Sequence, residues 1–280
     1  MRSLLAALFA TAAMAQQFQI DHVTAAGRDV QAMTAALRKA TGIEAEYGGP
    51  HSNHATEMAL VSFPDGSYLE LIAIQPHADP AALSVHYWHK FMEADAGPCA
   101  WAIRPADLKR EVVRLRTAGV AVTDPHPSGR KRPDGVQVDW ETAQVGPTNG
   151  GFFPFMIHDF TPRDRRAFPS GKPTTTKWMG ISKVVIGVRD LENSIAKYQA
   201  AFGLPAPERH ADREFGATLA SFSGTPVVLA SPLTPDSWLS ERLKNLGDAP
   251  CAFILRAKSR HAVRWADAQQ LGWRLGFETE

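Results

Sequence analysis

Cysteine, net charge and long apolar runs are what this sequence has least of. Its 280 residues include only two cysteines, Cys99 and Cys251, so neither a disulfide framework nor a cysteine-based metal site is available. Lys and Arg number 30 against 29 Asp and Glu, which leaves no basic excess of the kind that nucleic acid attracts. No apolar run reaches the roughly 20 residues that span a bilayer. We therefore expect no nucleic-acid partner and no membrane span.

The sequence motifs of several large enzyme classes are missing as well. No motif for a nucleophilic Ser or Cys, a phosphate-binding loop or a dinucleotide site is present, so the hydrolase, kinase and dehydrogenase classes have no support. The apolar content of 44% is that of an ordinary globular protein. A chain of this length can bury one large core or two cores of usual domain size.

The first fifteen residues are typical of a secretory signal. They carry one charge, Arg2, followed by an apolar run over residues 4–14, and they end in Ala13-Met14-Ala15, a small-x-small cleavage pattern. The alternatives are a disordered apolar terminus and a buried first helix. We predict a signal peptide over residues 1–15 and an exported protein, either periplasmic or secreted.

Two internal repeats indicate a duplicated architecture. Pro98-Cys99-Ala100-Trp101 returns as Pro250-Cys251-Ala252-Phe253, and residues 20–29 are echoed by residues 181–190. Because Cys99 and Cys251 occupy matching positions at strand starts, we expect two buried small side chains rather than a disulfide.

Duplication favours two domains, and one segment has the composition of a linker between them. Residues 161–177 are rich in Pro, Arg, Ser, Thr and Gly and show no apolar period. We predict a first domain over residues 18–160, a linker over residues 161–179 and a second domain over residues 180–280.

Each unit has the pattern of a strand, a helix and then antiparallel strands, which predicts an α+β fold. In the first unit a strand precedes a helix that begins after Asp29 and ends at Gly42. The other helices have Asp107 and Asp190 as N-caps. The predicted strands cover residues 18–26, 58–63, 68–74, 99–103, 136–145, 152–158, 218–222 and 227–231. Further strands are expected to begin at Gly180 and Cys251, and residues 271–277 form a final strand or tail. A further helix is predicted over residues 86–94. Only about thirty residues follow Cys251, so the fourth unit must be truncated.

Three segments resemble the glyoxalase-like branch of the vicinal oxygen chelate superfamily, which includes glyoxalase I, extradiol dioxygenases and bleomycin-resistance proteins. They are Asp21-His22-Val23, Gly48-Gly49-Pro50-His51 and the run Asp65-Gly66-Ser67-Tyr68-Leu69-Glu70-Leu71-Ile72-Ala73. The resemblance implies tandem βαβββ modules that form cupped mixed sheets, in two domains with the last module truncated. It also implies that His22 and Glu70 face the cup and bind a divalent metal such as Zn, Fe, Mn or Ni.

The second unit lacks the corresponding ligands. Alignment of the two units puts Ala100 opposite His22 and Pro154 opposite Glu70. His158 has the same strand parity as Pro154, so we expect it to face the cup as the third metal ligand. In the third unit the equivalents of His22 and Glu70 are Lys183 and Val228. The second domain is therefore expected to be a structural partner.

Several other side chains are candidates for the same cup. His51, on a glycine-rich loop, is the candidate acid/base group because an imidazole near its ordinary pKa can move protons at neutral pH. His54, Phe153, Phe155 and Arg130 are the candidates for substrate contact. The alternatives are a surface loop for the two histidines and a solvated loop for Arg130.

Two functions fit these residues. The first is a metal-dependent lyase, isomerase or dioxygenase that acts on a small oxygen-chelating substrate in the cup of the first domain. The second is a metal-free, resistance-type protein that binds a small molecule, in which a buried Glu70 is satisfied by His22 or an arginine. A catalytically inactive scaffold is a third reading. The expected partner is a small molecule. The sequence is compatible with either a monomer or a homodimer.

Overall fold

The computed structural model describes residues 18–146, 151–258 and 262–278. The predicted signal peptide lies outside the described residues. Within them, no helix has both the length and the apolar character needed to cross a membrane.

The strands form two curled mixed sheets. The first sheet has the order β2-β3-β4-β1-β5-β8-β7-β6 and the second β10-β11-β12-β9-β13-β15-β14. The strands of the first sheet are β1 (Ile20–Gly27), β2 (Glu46–Pro50), β3 (Thr56–Ser62), β4 (Tyr68–Ile74), β5 (Gly97–Ile103), β6 (His126–Lys131), β7 (Gln137–Ala143) and β8 (Phe155–Asp159). Those of the second are β9 (Gly180–Gly187), β10 (Glu208–Asp212), β11 (Ala217–Ser221), β12 (Val227–Pro232), β13 (Ala249–Arg256), β14 (Val263–Trp265) and β15 (Arg274–Glu278).

The helices lie between these strands. In the described part of the chain they are α1 (Val30–Thr41), α2 (Pro80–Ser84), α3 (His89–Glu93), α4 (Leu108–Thr117), α5 (Arg163–Ala167), α6 (Leu191–Phe202), α7 (Trp238–Leu246) and α8 (Ala268–Leu271). The predicted caps are confirmed: the Asp29 carboxylate accepts from the backbone N–H groups of Gln31 and Ala32, and Gly42 ends α1 with φ of 72°. Asp107 and Asp190 cap α4 and α6 in the same way.

Strand pairing confirms the duplication and the α+β class. In the first sheet β1 pairs parallel with β4, β5 pairs parallel with β8, and β1 and β5 meet antiparallel at the centre. The second sheet repeats this centre with β9 and β13, but its last module supplies one strand fewer and includes the three-residue β14. The last module is therefore truncated, as predicted.

The two faces of each sheet differ in what they contact. On β1, Val23 and Ala25 enter a hydrophobic core that also contains Trp101 of β5 and Phe253 of β13. Because side chains alternate along a strand, the intervening residues of β1 face the opposite, cupped side. The shared core thus lies on the side of each sheet away from its cup. Cys99 and Cys251 are both buried free thiols, as expected.

Four strands, β2, β6, β10 and β14, were not predicted, and neither were the helices α2, α5, α7 and α8. β2 and β6 are short edge strands whose sequences, EYGGP and HPSGRK, lack apolar alternation. The helix predicted over residues 86–94 is shorter, since α3 covers only its last part. Within the predicted linker, α5 packs back on the first sheet through Ala167, which is buried beside Tyr68.

Candidate active site

A cavity of about 220 Å³ opens in the cup of the first sheet. Its described lining combines a cluster of ionisable groups with an apolar wall. The ionisable side chains are those of His22, His51, Tyr68, Glu70, His86, Arg130 and Arg166, and the wall includes Trp88, Trp140, Phe155 and Ile157. A larger cavity of about 400 Å³ lies between the two sheets beside Arg104 and Lys183, but the residues around it include no histidine. The smaller cavity is therefore the better candidate for chemistry.

Glu70 lies between two imidazoles at the centre of this cavity. His22 Nε2 is 3.8 Å from Glu70 Oε2, and His51 Nε2 is 3.6 Å from Glu70 Oε1. The hydroxyl of Thr24 donates to Glu70 Oε2 at 3.0 Å. His22 and Glu70 are only 5% and 6% exposed. The structure thus brings together His22, Glu70 and His51 from β1, β4 and the loop after β2.

Asp21 fixes the orientation of His22. The His22 Nδ1 atom is 2.5 Å from Asp21 Oδ1, and the ring stacks on Tyr68 with 4.7 Å between ring centroids. Arg166 donates to both Asp21 oxygens, and Arg163 donates to one of them. Burial alone would raise the pKa of Asp21, but these two guanidinium groups hold that pKa well below its ordinary value. Asp21 is therefore a carboxylate that accepts from Nδ1, and the Nε2 atom of the ring faces the cavity.

His51 is held in the neutral form. Its Nδ1 atom is 2.7 Å from the hydroxyl of Thr56. Burial lowers the pKa of His51; Glu70 opposes this shift, while the positive charge of Arg130 adds to it. A neutral ring whose Nδ1 is engaged by Thr56 directs Nε2 at Glu70.

His86, which sequence reasoning did not single out, also lines the cavity. Burial lowers the pKa of His86 to about 4. It lies between α2 and α3, in a segment without a motif, so only the fold reveals it. His86 is therefore uncharged at neutral pH.

Arg130 is buried rather than solvated. It lies on β6 with 5% of its surface exposed and lines the cavity, whereas its neighbour Lys131 is exposed. Its Nη1 group donates to the carbonyl of Gly48 at 3.0 Å. The solvated-loop alternative for Arg130 is therefore wrong, because the edge strand β6 turns this side chain inward.

Three predicted residues lie outside the cavity. His54 is exposed in the loop before β3. Phe153 is buried in the shared core, 5.1 Å from the ring of Tyr198. His158 is exposed on β8, 5.9 Å from the ring of Phe160, so its expected orientation toward the cup is wrong.

The register of β8 explains the position of His158. Thr24 pairs with Glu70 across β1 and β4, and the equivalent pair across β5 and β8 is Ala102 with Phe155. Phe155, not Pro154, therefore occupies the position of Glu70. A shift of one residue along a strand exchanges its two faces, which puts His158 on the opposite face from Phe155.

No group of three or more side chains arranged to hold a metal ion is found in the described ranges. The closest approach to one is the pair of imidazoles around Glu70. Two imidazoles and one carboxylate are a donor set that binds iron and zinc in proteins. Metal bonds of about 2.0–2.1 Å place adjacent donors roughly 3.0–3.4 Å apart. The observed separations of 3.6 and 3.8 Å must therefore shorten by a few tenths of an ångström to hold an ion.

Comparison with known proteins identifies the family. The family described as "Glyoxalase-like domain" matches residues 20–202, which is more than half of the chain. The protein belongs to this glyoxalase-like family. The family lies in the vicinal oxygen chelate superfamily, so the resemblance in three short segments is confirmed. No curated protein matches the sequence.

Solved structures share the fold of this glyoxalase-like protein. A hypothetical protein from Staphylococcus aureus is similar with a TM-score of 0.65 and 14% identity, covering 93% of this chain and 99% of the other. A variant of 4-hydroxymandelate synthase from Streptomyces coelicolor has a TM-score of 0.55 and 14% identity, covering 85% and 71%. At this identity the likeness shows the fold alone.

Proposed function

We propose that the cavity of the first sheet is the active site of a metal-dependent enzyme, of the lyase, isomerase or dioxygenase class, acting on a small substrate with adjacent oxygen atoms. One observation carries this proposal: the Nε2 atoms of His22 and His51 converge on the two oxygens of Glu70 inside the cup of the first sheet. A buried carboxylate is costly unless it is paired, hydrogen-bonded or bound to a metal, and an ion between these three side chains would meet that requirement.

In this proposal His22, Glu70 and His51 hold the ion. His51 replaces His158 as the third ligand, and the acid/base role expected for His51 becomes the alternative. A divalent ion in this position would polarise substrate oxygens and stabilise the negative charge that develops on them. Asp21 keeps the His22 Nε2 atom directed at the cavity, and Thr56 orients His51. The aromatic wall formed by Trp88, Trp140 and Phe155 limits access of water.

Metal content of the purified full-length chain tests the proposal. After loading with Zn, Fe, Mn or Ni and removal of free ion, elemental analysis should find close to one ion per chain. Glu70→Gln and His51→Asn should each lower that content by roughly tenfold or more at limiting metal, because a two-ligand site holds an ion weakly.

Two matched variants serve as controls. Glu57→Gln changes a similarly buried carboxylate of the same sheet that bonds Tyr47 instead, and His54→Asn changes an exposed histidine of the same loop. Both should retain the metal. If Glu70→Gln binds as much metal as the unmodified protein, the proposal is wrong. If only His51→Asn does so, His51 is not a ligand and its acid/base role is favoured.

One observation favours the metal-free alternative. Thr24 already donates to Glu70, and the second module contributes Ala102 and Phe155 where Thr24 and Glu70 stand in the first. A small-molecule-binding protein needs no more than this. Absence of metal uptake, together with ligand-induced thermal stabilisation that survives a chelator, would favour that function.

A further inference from the structure

Arg130 forms no ion pair in the described chain, although the more distant charge of Glu70 favours its protonated form. No carboxylate oxygen of residues 18–146, 151–258 or 262–278 lies within 4 Å of its guanidinium nitrogens, whereas Arg166, on the same cavity, is bonded to both Asp21 and Asp159. The contact with Gly48 uses one of the five N–H donors of Arg130. The other four N–H donors of the buried Arg130 side chain are therefore available to a ligand in the cavity.

A buried, unpaired cation is costly, and a bound anion removes that cost. Burial lowers the pKa of Arg130, and the charge of Glu70 opposes this shift only in part. Charged groups that are buried in proteins are normally paired. A planar guanidinium matches a carboxylate by two parallel hydrogen bonds, which is a better fit than a single charged contact.

The remaining lining restricts the rest of the ligand. Trp88 and Phe155 lie 6.4 Å apart between ring centroids, and Ile157 and Met58 complete an apolar surface. The volume of about 220 Å³ is below the roughly 300 Å³ at which sites for drug-sized ligands begin. The ligand must therefore be small, with a flat apolar body.

We propose that the natural ligand of this cavity is a small aromatic carboxylate whose carboxylate group binds Arg130 and whose ring packs on Phe155 and Trp88. The inference rests on the proposed function in placing the substrate in this cavity, and it narrows the substrate class to aromatic acids. It does not depend on whether a metal is bound.

Calorimetric titration of the full-length chain with three probes tests the inference. The probes are benzoate, its neutral counterpart benzamide, and inorganic phosphate, each measured with and without loaded metal. Benzoate should bind at least tenfold more tightly than benzamide or phosphate, because it alone combines the charge with the ring.

Variants on one strand locate the binding. Arg130→Gln should weaken benzoate binding roughly tenfold or more, and Arg130→Lys, which keeps the charge but not the planar fork, should weaken it less. Lys131→Gln removes the same charge from the exposed neighbour and should change nothing.

Three results would overturn the inference: benzamide or phosphate binding the unmodified protein as tightly as benzoate, no benzoate binding at all, or benzoate binding Arg130→Gln unchanged. The comparison of the three probes on the unmodified chain tests the inference even if Arg130→Gln does not fold. Because Arg130→Gln should keep its metal content and Glu70→Gln should lose it, failure of this inference and failure of the proposed metal site give different results.

Discussion

The two sheets have the same topology but opposite contents in their cups. In the first sheet, the cupped face carries Thr24 opposite Glu70, and a cavity remains above them. In the second, the equivalent pair is Val185 opposite Val228. These valines belong to an apolar cluster that α7 fills with Leu239 and Leu243. The same fold can therefore hold either a cavity or a packed apolar cluster, depending on which side chains lie on the face opposite the shared core.

The charged groups differ in the same way. Asp21 in the first sheet is fully buried and bonded to Arg166, Arg163 and His22. Ser182, the equivalent residue of the second sheet, only donates to the carbonyl of Ile254 at 3.1 Å. The buried charges therefore collect behind the proposed active site, where they orient its ligands.

The largest expected effect comes from breaking that charge cluster. Asp21→Asn should lower the free energy of unfolding by about 3–5 kcal/mol, because Arg166 loses a buried partner. Ser182→Ala, at the equivalent position, should cost less than about 1 kcal/mol. Urea denaturation measures both, and equal losses would show that the cluster does not distinguish the two sheets.

The next effect concerns the filling of the second cup. Leu239→Ala should cost about 3 kcal/mol, since Leu239 is fully buried and its removal leaves a cavity. Phe155→Leu, in the open cup of the first sheet, should cost less than about 1.5 kcal/mol because that side chain is only partly buried. Urea denaturation again provides the measurement. A greater loss for Phe155→Leu would mean that the first cup is packed as tightly as the second.

Glutamine at two equivalent positions should affect the stability of the protein differently. Val228→Gln should cost about 2 kcal/mol, because it buries an amide without a partner among apolar side chains. Glu70→Gln keeps an acceptor for Thr24 and should change stability by less than about 1 kcal/mol. Thermal unfolding of both variants at neutral pH is the check. A large loss for Glu70→Gln would assign Glu70 a structural rather than a functional role.

Much of this fold could be predicted because its signals are local. The segment around Glu70 is an almost continuous apolar run that follows the turn Pro64-Asp65-Gly66, and Asp29 with Gly42 marks both ends of a helix. His22 and Glu70 could be placed in one cup by resemblance, and Lys183 and Val228 at the equivalent positions predicted that the second sheet lacks these ligands.

The features that could not be predicted depend on contacts between distant parts of the chain. Arg130 stands in a basic run typical of a solvated loop, and only pairing of β6 with β7 turns it inward. Arg166 stands in a segment with the composition of a linker, yet it is buried against Asp21. The predicted orientation of the His158 side chain depended on an alignment that was wrong by one residue. In a strand such an error exchanges the two faces, whereas in a loop it would have had little effect.

The smallest expected effect is a dependence of stability on pH that arises from the cavity of the first sheet. His86 titrates near pH 6.5 in the unfolded chain and at about 4 in the folded protein, because burial disfavours its charged form. Between these values the unfolded chain binds more protons, so the free energy of unfolding should decrease as pH falls from about 6.5 to about 4. With partial exposure of His86 taken into account, its share should be about 1 kcal/mol.

His86→Gln should remove that share, whereas His210→Gln, on the exposed edge strand β10 of the second sheet, should leave the pH dependence unchanged. His51, whose pKa is lowered as well, contributes in the same direction, so His86→Gln should reduce the slope without abolishing it. Urea denaturation at half-unit pH intervals measures the slope. An identical slope in His86→Gln and the unmodified protein would show that His86 does not contribute to the acid sensitivity.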